Sequence, residues 1–209
     1  MNQEMEKWKK LMLIHKFAMD EVNTKLQILN EEFQHIHQYN PIEHIKSRLK
    51  HQQGIIQKLE RKGYALTPEN ARRYVHDMAG IRITCSFTSD IYHVLRMIKH
   101  QRDITVVNLK DYIQKPKPNG YQSLHLIVKI PVFLAASTEK TLVEIQMRTV
   151  AMDFWASLEH KLFYKFDQEI PHALRKELKS AADTMKVLDE KMESIKCEID
   201  FVKSGHTFM

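Results

Sequence analysis

Glycine and proline are scarce in this chain, five and six among 209 residues. Turn punctuation is therefore sparse, and the sequence predicts long helices. Cysteine is scarcer still. Cys85 and Cys197 are too few for a disulfide framework, and neither sits in a Cys-His motif. No run approaches the ~18 uncharged apolar residues that a membrane span needs. The longest apolar stretch, Leu124–Ala136, is interrupted by Lys129. The first residues, MNQEMEKWKK, place acids and amides before the short run LMLIHKF. A signal peptide would need a longer apolar core and a small-residue cleavage site, so none is expected from this run. The expectation is a cytoplasmic protein without membrane contact.

What remains is ordinary globular material, with 43% hydrophobic and 28% charged residues, so wholesale disorder is excluded. The length suits one domain with a core that needs no staples. Lys plus Arg exceed Asp plus Glu by 32 to 26, a surplus that suits a polyanionic ligand without choosing among nucleotide, nucleic acid and lipid headgroup.

Apolar residues recur at helical steps from Glu4 to about Gln38, at Trp8, Leu11, Ala18, Val22, Leu26, Leu29, Phe33 and Ile36. Leu13, Ile14 and Phe17 widen that stripe and predict a second buried contact. Asn40-Pro41-Ile42-Glu43 reads as a capped helix start, with the helix running to Lys62 and stopping at Gly63. Thr67-Pro68-Glu69 opens a third, shorter helix. The period changes to two in Ile81–Phe87, a half-buried strand. Ser89–Gln101 is helical, and Thr105–Leu109, Ser123–Ile130 and Thr141–Arg148 are further strands. A helix follows Thr149, Pro171 breaks it, and an amphipathic helix covers roughly His172–Asp200 before a frayed tail. The division is 1–75 N-terminal helices, 76–165 a mixed α/β core, and 166–209 a C-terminal helix and tail, within one domain.

Thr141–Arg148 is the segment richest in chemistry. As a strand it places Glu144, Gln146 and Arg148 on one face and Val143, Ile145 and Met147 on the other. Polar faces are often merely solvated, but three different functional groups in register, with Asp153 just beyond, point further. Asp77 precedes the strand Ile81–Phe87 and reads either as a turn aspartate or as the partner of Glu144 across neighbouring strands. Two carboxylates suit a hard Mg²⁺ ion whose other ligands are phosphates and waters; without a cation they repel. Lys46, Arg48, Lys50, Lys58, Arg61 and Lys62, placed on the second helix, have only Glu60 as an acid after Glu43. They are a solvated face or, with Arg82, a triphosphate cradle in which a guanidinium also stacks on a purine. The loop Lys115–Gly120 leads into Tyr121 and His125, offering a phosphate contact at Lys117 and an aromatic plane for a base. Two classes follow, a Mg²⁺-dependent nucleotide enzyme and a basic RNA-binding module without catalysis. The acids favour the enzyme, since they repel the phosphates of RNA.

Five separated motifs carry a resemblance. They are His76-Asp77-Met78-Ala79-Gly80-Ile81-Arg82, Asp111-Tyr112-Ile113, Pro116-Lys117-Pro118-Asn119-Gly120-Tyr121, Val143-Glu144-Ile145-Gln146-Met147-Arg148-Thr149, and Ala151-Met152-Asp153-Phe154-Trp155-Ala156 with Glu159-His160. In order from about Asn40 to His160, the chain resembles the Rel/Spo alarmone synthetase domain. Lacking the companion hydrolase and regulatory domains, it is similar to the stand-alone small alarmone synthetases, closest to the type called RelP or YwaC.

The resemblance implies a nucleotidyltransferase-like α/β fold, a mixed sheet of about five strands with flanking helices and long terminal helices. It implies a synthetase without hydrolase activity that transfers the β,γ-diphosphate of ATP to the 3′-hydroxyl of GTP or GDP, giving (p)ppGpp and AMP. By similarity Asp77 and Glu144 hold Mg²⁺, and Glu144 helps deprotonate the hydroxyl. Arg48 and Arg82 sandwich adenine, while Lys50, Lys58 and Arg61 meet the ATP phosphates. Tyr121 stacks on guanine, Lys110, Lys117, His125 and Gln146 contact the acceptor's phosphates or ribose, and Asp153 meets the guanine edge. Gln122 stands where the family usually has Arg, and Lys110 where some relatives have Arg. A homotetramer is implied, and RNA as a regulator is compatible with the charge.

Overall fold

A computed structural model describes residues 2–37, 39–164 and 171–203. The long opening helix α1 (Asn2–His35) is followed by β1 (Ile42–Leu49), α2 (Gln52–Arg61), α3 (Pro68–Tyr74), β2 (Ala79–Cys85) and α4 (Thr88–His100). Then come β3 (Thr105–Asp111), β4 (Leu124–Phe133), β5 (Thr138–Thr149), α5 (Val150–Tyr164) and α6 (His172–Lys203). The strands form one mixed sheet in the order β1-β2-β5-β4-β3, with only β2 and β5 parallel. No described helix is long and apolar enough to cross a membrane.

β1 corrects the sequence reading, which placed 1–75 wholly in helices and ran the second helix from Pro41 to Lys62. Ile42, Ile45 and Leu49 have helix-like spacing, three and four residues apart. The strand reproduces that spacing through a bulge between Ile42 and His44, which adds a residue and returns the apolar side chains to one face. The Asn40 side chain does not cap a helix. Its Oδ1 accepts from the Ile42 backbone N–H at 3.0 Å, turning the chain into the sheet. The helix begins only at Gln52 and, as expected, ends just before Gly63, whose φ is +73°. Thr67 does cap α3, accepting from the Asn70 N–H at 3.2 Å. The end of the first-helix reading, Gln38, and the tail 204–209 lie outside the described residues.

One sheet face is apolar. Ile81, Ile83, Ile145, Met147, Leu124 and Leu126 are fully buried there with Ala18, Val22 and Leu26 of α1 and Ile91, Val94 and Ile98 of α4. A second cluster ties Trp8 and Leu11 of α1 to Ile55 and Leu59 of α2 and Ala71 of α3. The other face carries the polar residues in cross-strand rows. The register aligns Arg48, Gly80, Glu144, Ile127 and Asn108 in one row, and Lys46, Arg82, Gln146, His125 and Lys110 in the next. Because side chains alternate along each strand, both rows project to the same side.

Candidate active site

Asp77 lies in the turn between α3 and β2. Its two carboxylate oxygens accept separately from Lys50 Nζ at 2.7 Å and Lys58 Nζ at 2.6 Å. Burial opposes the charged carboxylate, but the two ammonium hydrogen bonds and charges outweigh it and hold the group down at about 2. Glu144, on the central strand β5, is likewise half-hidden. Burial again opposes its ionisation, but His125, with Nδ1 at 3.4 Å, and Gln146, whose Nε2 donates at 3.0 Å, bring the carboxyl below its ordinary value. Both carboxylates are therefore ionised at neutral pH.

Two open cavities meet at this pair. One, of about 360 Å³, is lined by Lys46, Ser47, Arg48, Gly80, Ile81, Arg82 and Gln146 together with Asp77 and Glu144. The other, of about 280 Å³, includes Lys58, Lys62, His76, Lys110, Tyr112, Lys117 and His125, again with Asp77 and Glu144. Two cation-rich compartments thus share a wall that carries both acids. The oxygen-only donors of that wall suit a hard divalent ion. Among the described residues no group of three or more His, Cys, Asp or Glu side chains could hold a metal alone. An ion here would draw its remaining ligands from phosphates and water.

The sequence-predicted residues divide between the compartments. Arg48 and Arg82 line the first, and Lys110, Lys117 and His125 the second. Lys50 reaches Asp77 beside the first cavity, whereas Lys58, assigned with it, lines the second. Gln146, assigned to the acceptor, lines the first. Arg61 is exposed at the end of α2 and lines neither. Tyr121 stands behind the second cavity, its hydroxyl 2.8 Å from His125 Nε2, with Lys117 Nζ 4.6 Å from its ring centroid. Asp153 faces two guanidiniums, with Arg82 Nη1 at 3.2 Å and Arg148 Nη1 at 3.0 Å.

Residues 47–169 match the family described as the region found in RelA/SpoT proteins. The chain belongs to the RelA/SpoT family. It is 52% identical over 196 residues to the GTP pyrophosphokinase YwaC of Bacillus subtilis (strain 168), covering 94% of this chain and 93% of the relative. The crystal structure of small alarmone synthetase 2 from Bacillus subtilis superposes with a TM-score of 0.83 at 50% identity, over 91% of this chain and 98% of that one. Small alarmone synthetase 1 from the same organism, bound to its product pppGpp, superposes with a TM-score of 0.86 at 35% identity, over 93% and 98% of the two chains. The mixed five-stranded sheet with flanking and terminal helices is the architecture of these structures.

Gln122, singled out in the sequence, does not line the second cavity. Gln122 is buried and borders a small gap with Met152, Trp155, Ala182 and Met185, between α5 and α6. The sequence reading counts Lys62 only within the basic run and assigns no contact to His76 or Arg148. Lys62 and His76 line the second cavity, His76 being brought there by the turn after α3 rather than by any local pattern. Arg148 carried a signal, since it shares the strand face of Glu144 and Gln146.

Proposed function

We propose that this chain synthesises (p)ppGpp, moving the β,γ-diphosphate of ATP onto the ribose 3′-hydroxyl of GTP or GDP and releasing AMP. The observation that carries the proposal is the shared wall, where Asp77 and Glu144 border both cation-lined cavities. A transfer between two nucleotides needs them to meet at one acidic edge with cations on either side. Diphosphate transfer is mostly positioning and charge neutralisation, and the site offers that without a covalent nucleophile.

In this reading the compartment with Arg48 and Arg82 takes ATP, with the guanidinium planes on adenine. The compartment with Lys110, Lys117 and His125 takes the guanosine acceptor, with Tyr121 on its base. ATP phosphates compete with Asp77 for Lys50 and Lys58, and Arg61, exposed outside both cavities, is assigned to them by family resemblance alone. Glu144, held by His125 and Gln146, accepts the 3′-hydroxyl proton as that oxygen attacks the β-phosphorus and the bond to AMP breaks. Asp77 and Glu144 would hold Mg²⁺, which would supply charge neutralisation to the transferred phosphates. The proposal includes a Mg²⁺ requirement, no hydrolysis of the product, a cytoplasmic homotetramer, and RNA as a regulatory partner rather than the substrate. The acids inside the basic groove count against a non-catalytic RNA-binding module.

The test is incubation of purified protein with ATP, GTP or GDP and Mg²⁺, resolving the guanosine products. Accumulation of ppGpp or pppGpp with equimolar AMP is expected, and the product should persist. Release of free phosphate alone would overturn the reading.

A further inference from the structure

Arg148 poses a question that the two cavities leave open. It is 5% exposed, so its charge is almost wholly withdrawn from water, yet it lines neither cavity. A buried cation needs a carboxylate, and Asp153 supplies one to Arg148 Nη1 at 3.0 Å. A purely structural ion pair would end there. Instead Nη2 donates to the Tyr121 hydroxyl at 2.7 Å and to Gln146 Oε1 at 3.1 Å. The guanidinium carbon also lies 5.2 Å from the centre of the Tyr121 ring.

Those two contacts lead to the same carboxylate. Arginine only donates, so its bond to Gln146 Oε1 fixes the amide orientation and turns Nε2 toward Glu144 Oε2 at 3.0 Å. Arg148 also occupies an acceptor site on the Tyr121 oxygen, leaving that hydroxyl to donate to His125 Nε2 at 2.8 Å. This assigns the remaining proton of neutral His125 to Nδ1, which faces Glu144 Oε1 at 3.4 Å. One guanidinium therefore heads two routes to Glu144, one ending in the Gln146 hydrogen bond to Oε2 and the other, through the ring proposed to stack on the acceptor base, in the 3.4 Å approach of His125 to Oε1.

We propose that Arg148 is a positioning residue of the acceptor site, holding the Tyr121 ring by its hydroxyl and, through Tyr121 and Gln146, orienting the donors that face Glu144. The inference rests on the reading of Tyr121 as the acceptor-base platform. Lysine cannot replace arginine here, because a single ammonium lacks the planar fork that reaches Asp153, Tyr121 and Gln146 together.

The experiment is a double-mutant cycle on Arg148→Lys and Tyr121→Phe. Calorimetry would measure binding of GDP and, separately, of a non-hydrolysable ATP analogue to the whole protein. Tyr121→Phe keeps the stacking ring and removes only the hydroxyl. Each single variant should weaken GDP about tenfold, the scale of a lost charged hydrogen bond. The double variant should be no weaker than the worse single, and the ATP analogue should change less than about twofold in all three. In turnover, the loss should fall mainly on acceptor KM.

Multiplicative losses in the double variant would show that Arg148 acts independently of the hydroxyl and would overturn the inference. So would equal loss of ATP-analogue affinity, which marks a general structural role. If Arg148→Lys does not fold, Tyr121→Phe alone decides, and unchanged GDP affinity overturns the proposal. Failure of the wild-type chain to bind GDP would instead overturn the acceptor site itself, and this inference with it.

Discussion

At the scale of single residues, the two acids are not equivalent. Asp77 serves as anion for Lys50 and Lys58, whereas Glu144 is held by the neutral donor Gln146 and by His125. Asp77→Asn should abolish synthesis and also lower stability by about 1–3 kcal/mol, because two half-buried ammonium groups lose their carboxylate. Glu144→Gln should abolish synthesis with a smaller stability loss, since no ammonium depends on it. Product chromatography and thermal melts check both, and near-normal kcat in either variant at saturating Mg²⁺ would refute the site. The sign of the pH effect at Asp77 follows from its depressed carboxyl, held at about 2 against an ordinary 3.8. Its stabilising contribution is complete above the ordinary value and is lost as pH falls toward 2. Melts of wild type and Asp77→Asn should therefore converge in strong acid.

At the scale of elements, the loop before Tyr121 is seated on α6. Gly120 has φ +88°, and a Cβ there would stand 2.5 Å from the Ala182 Cβ. Gly120→Ala is both strained in the backbone and blocked by a side chain that cannot turn away. It should raise the acceptor KM severalfold while sparing ATP, and adding Ala182→Gly should restore part of the loss by removing the clash but not the strain. Acceptor titrations at saturating ATP measure this, and no rescue would show that backbone strain alone matters. α1 carries a second element-scale effect. His15 is buried, with Nδ1 2.8 Å from the Leu11 carbonyl, and burial, with Arg72 adding to it, lowers its pKa below the ordinary 6.5. The unfolded chain then binds the proton more readily, so stability is full above that value and declines as pH falls. Tm should drop from about pH 7.5 to about pH 5.5, and His15→Leu should flatten the slope. An unchanged slope would remove His15 from the cause.

At the scale of the whole molecule, α6 docks in two styles. Leu178, Ala182 and Met185 turn inward, where Trp155 Nε1 donates to the Leu178 carbonyl at 2.9 Å. Further along, contact passes to polar groups. Thr149 donates to Asp189 at 2.6 Å, the Ser89 N–H donates to Glu193 at 3.0 Å, and Lys196 donates to the buried Asp90 at 3.0 Å. This leaves Leu188, Met192, Ile195 and Ile199 exposed, along with Phe154, Leu158 and Leu162 on α5. Apolar surface of that extent supports the proposed assembly. Size exclusion with light scattering should give four chains at micromolar concentration, and Leu188→Glu with Met192→Glu should reduce the mass. A wild-type monomer would refute the tetramer.

The sequence by itself determined what local pattern can determine. The alternation of β2 and β5, the strand runs of β3 and β4, the capped start of α3 and the long terminal helices all follow from spacing and punctuation that act within a few residues. The five motifs contain the two acids with Arg82 and Lys117, and the basic run from Lys46 to Lys62 contains most of the other cations that line the two cavities. Tertiary structure decided the rest, because it depends on partners far away in the chain. β1 is a strand because β2 offers it a ladder and a bulge absorbs its helix-like spacing, which places Lys46 and Arg48 on the site face. The C-terminal half of α6 presents its polar stripe to the body because Thr149, Ser89 and Asp90 stand there to receive it. Arg148 showed in sequence only as a polar residue in register. Its hydrogen bond to Gln146 is local to β5, but the one to Tyr121 exists because β4 and β5 pair antiparallel with His125 opposite Gln146, a register that no local signal encodes.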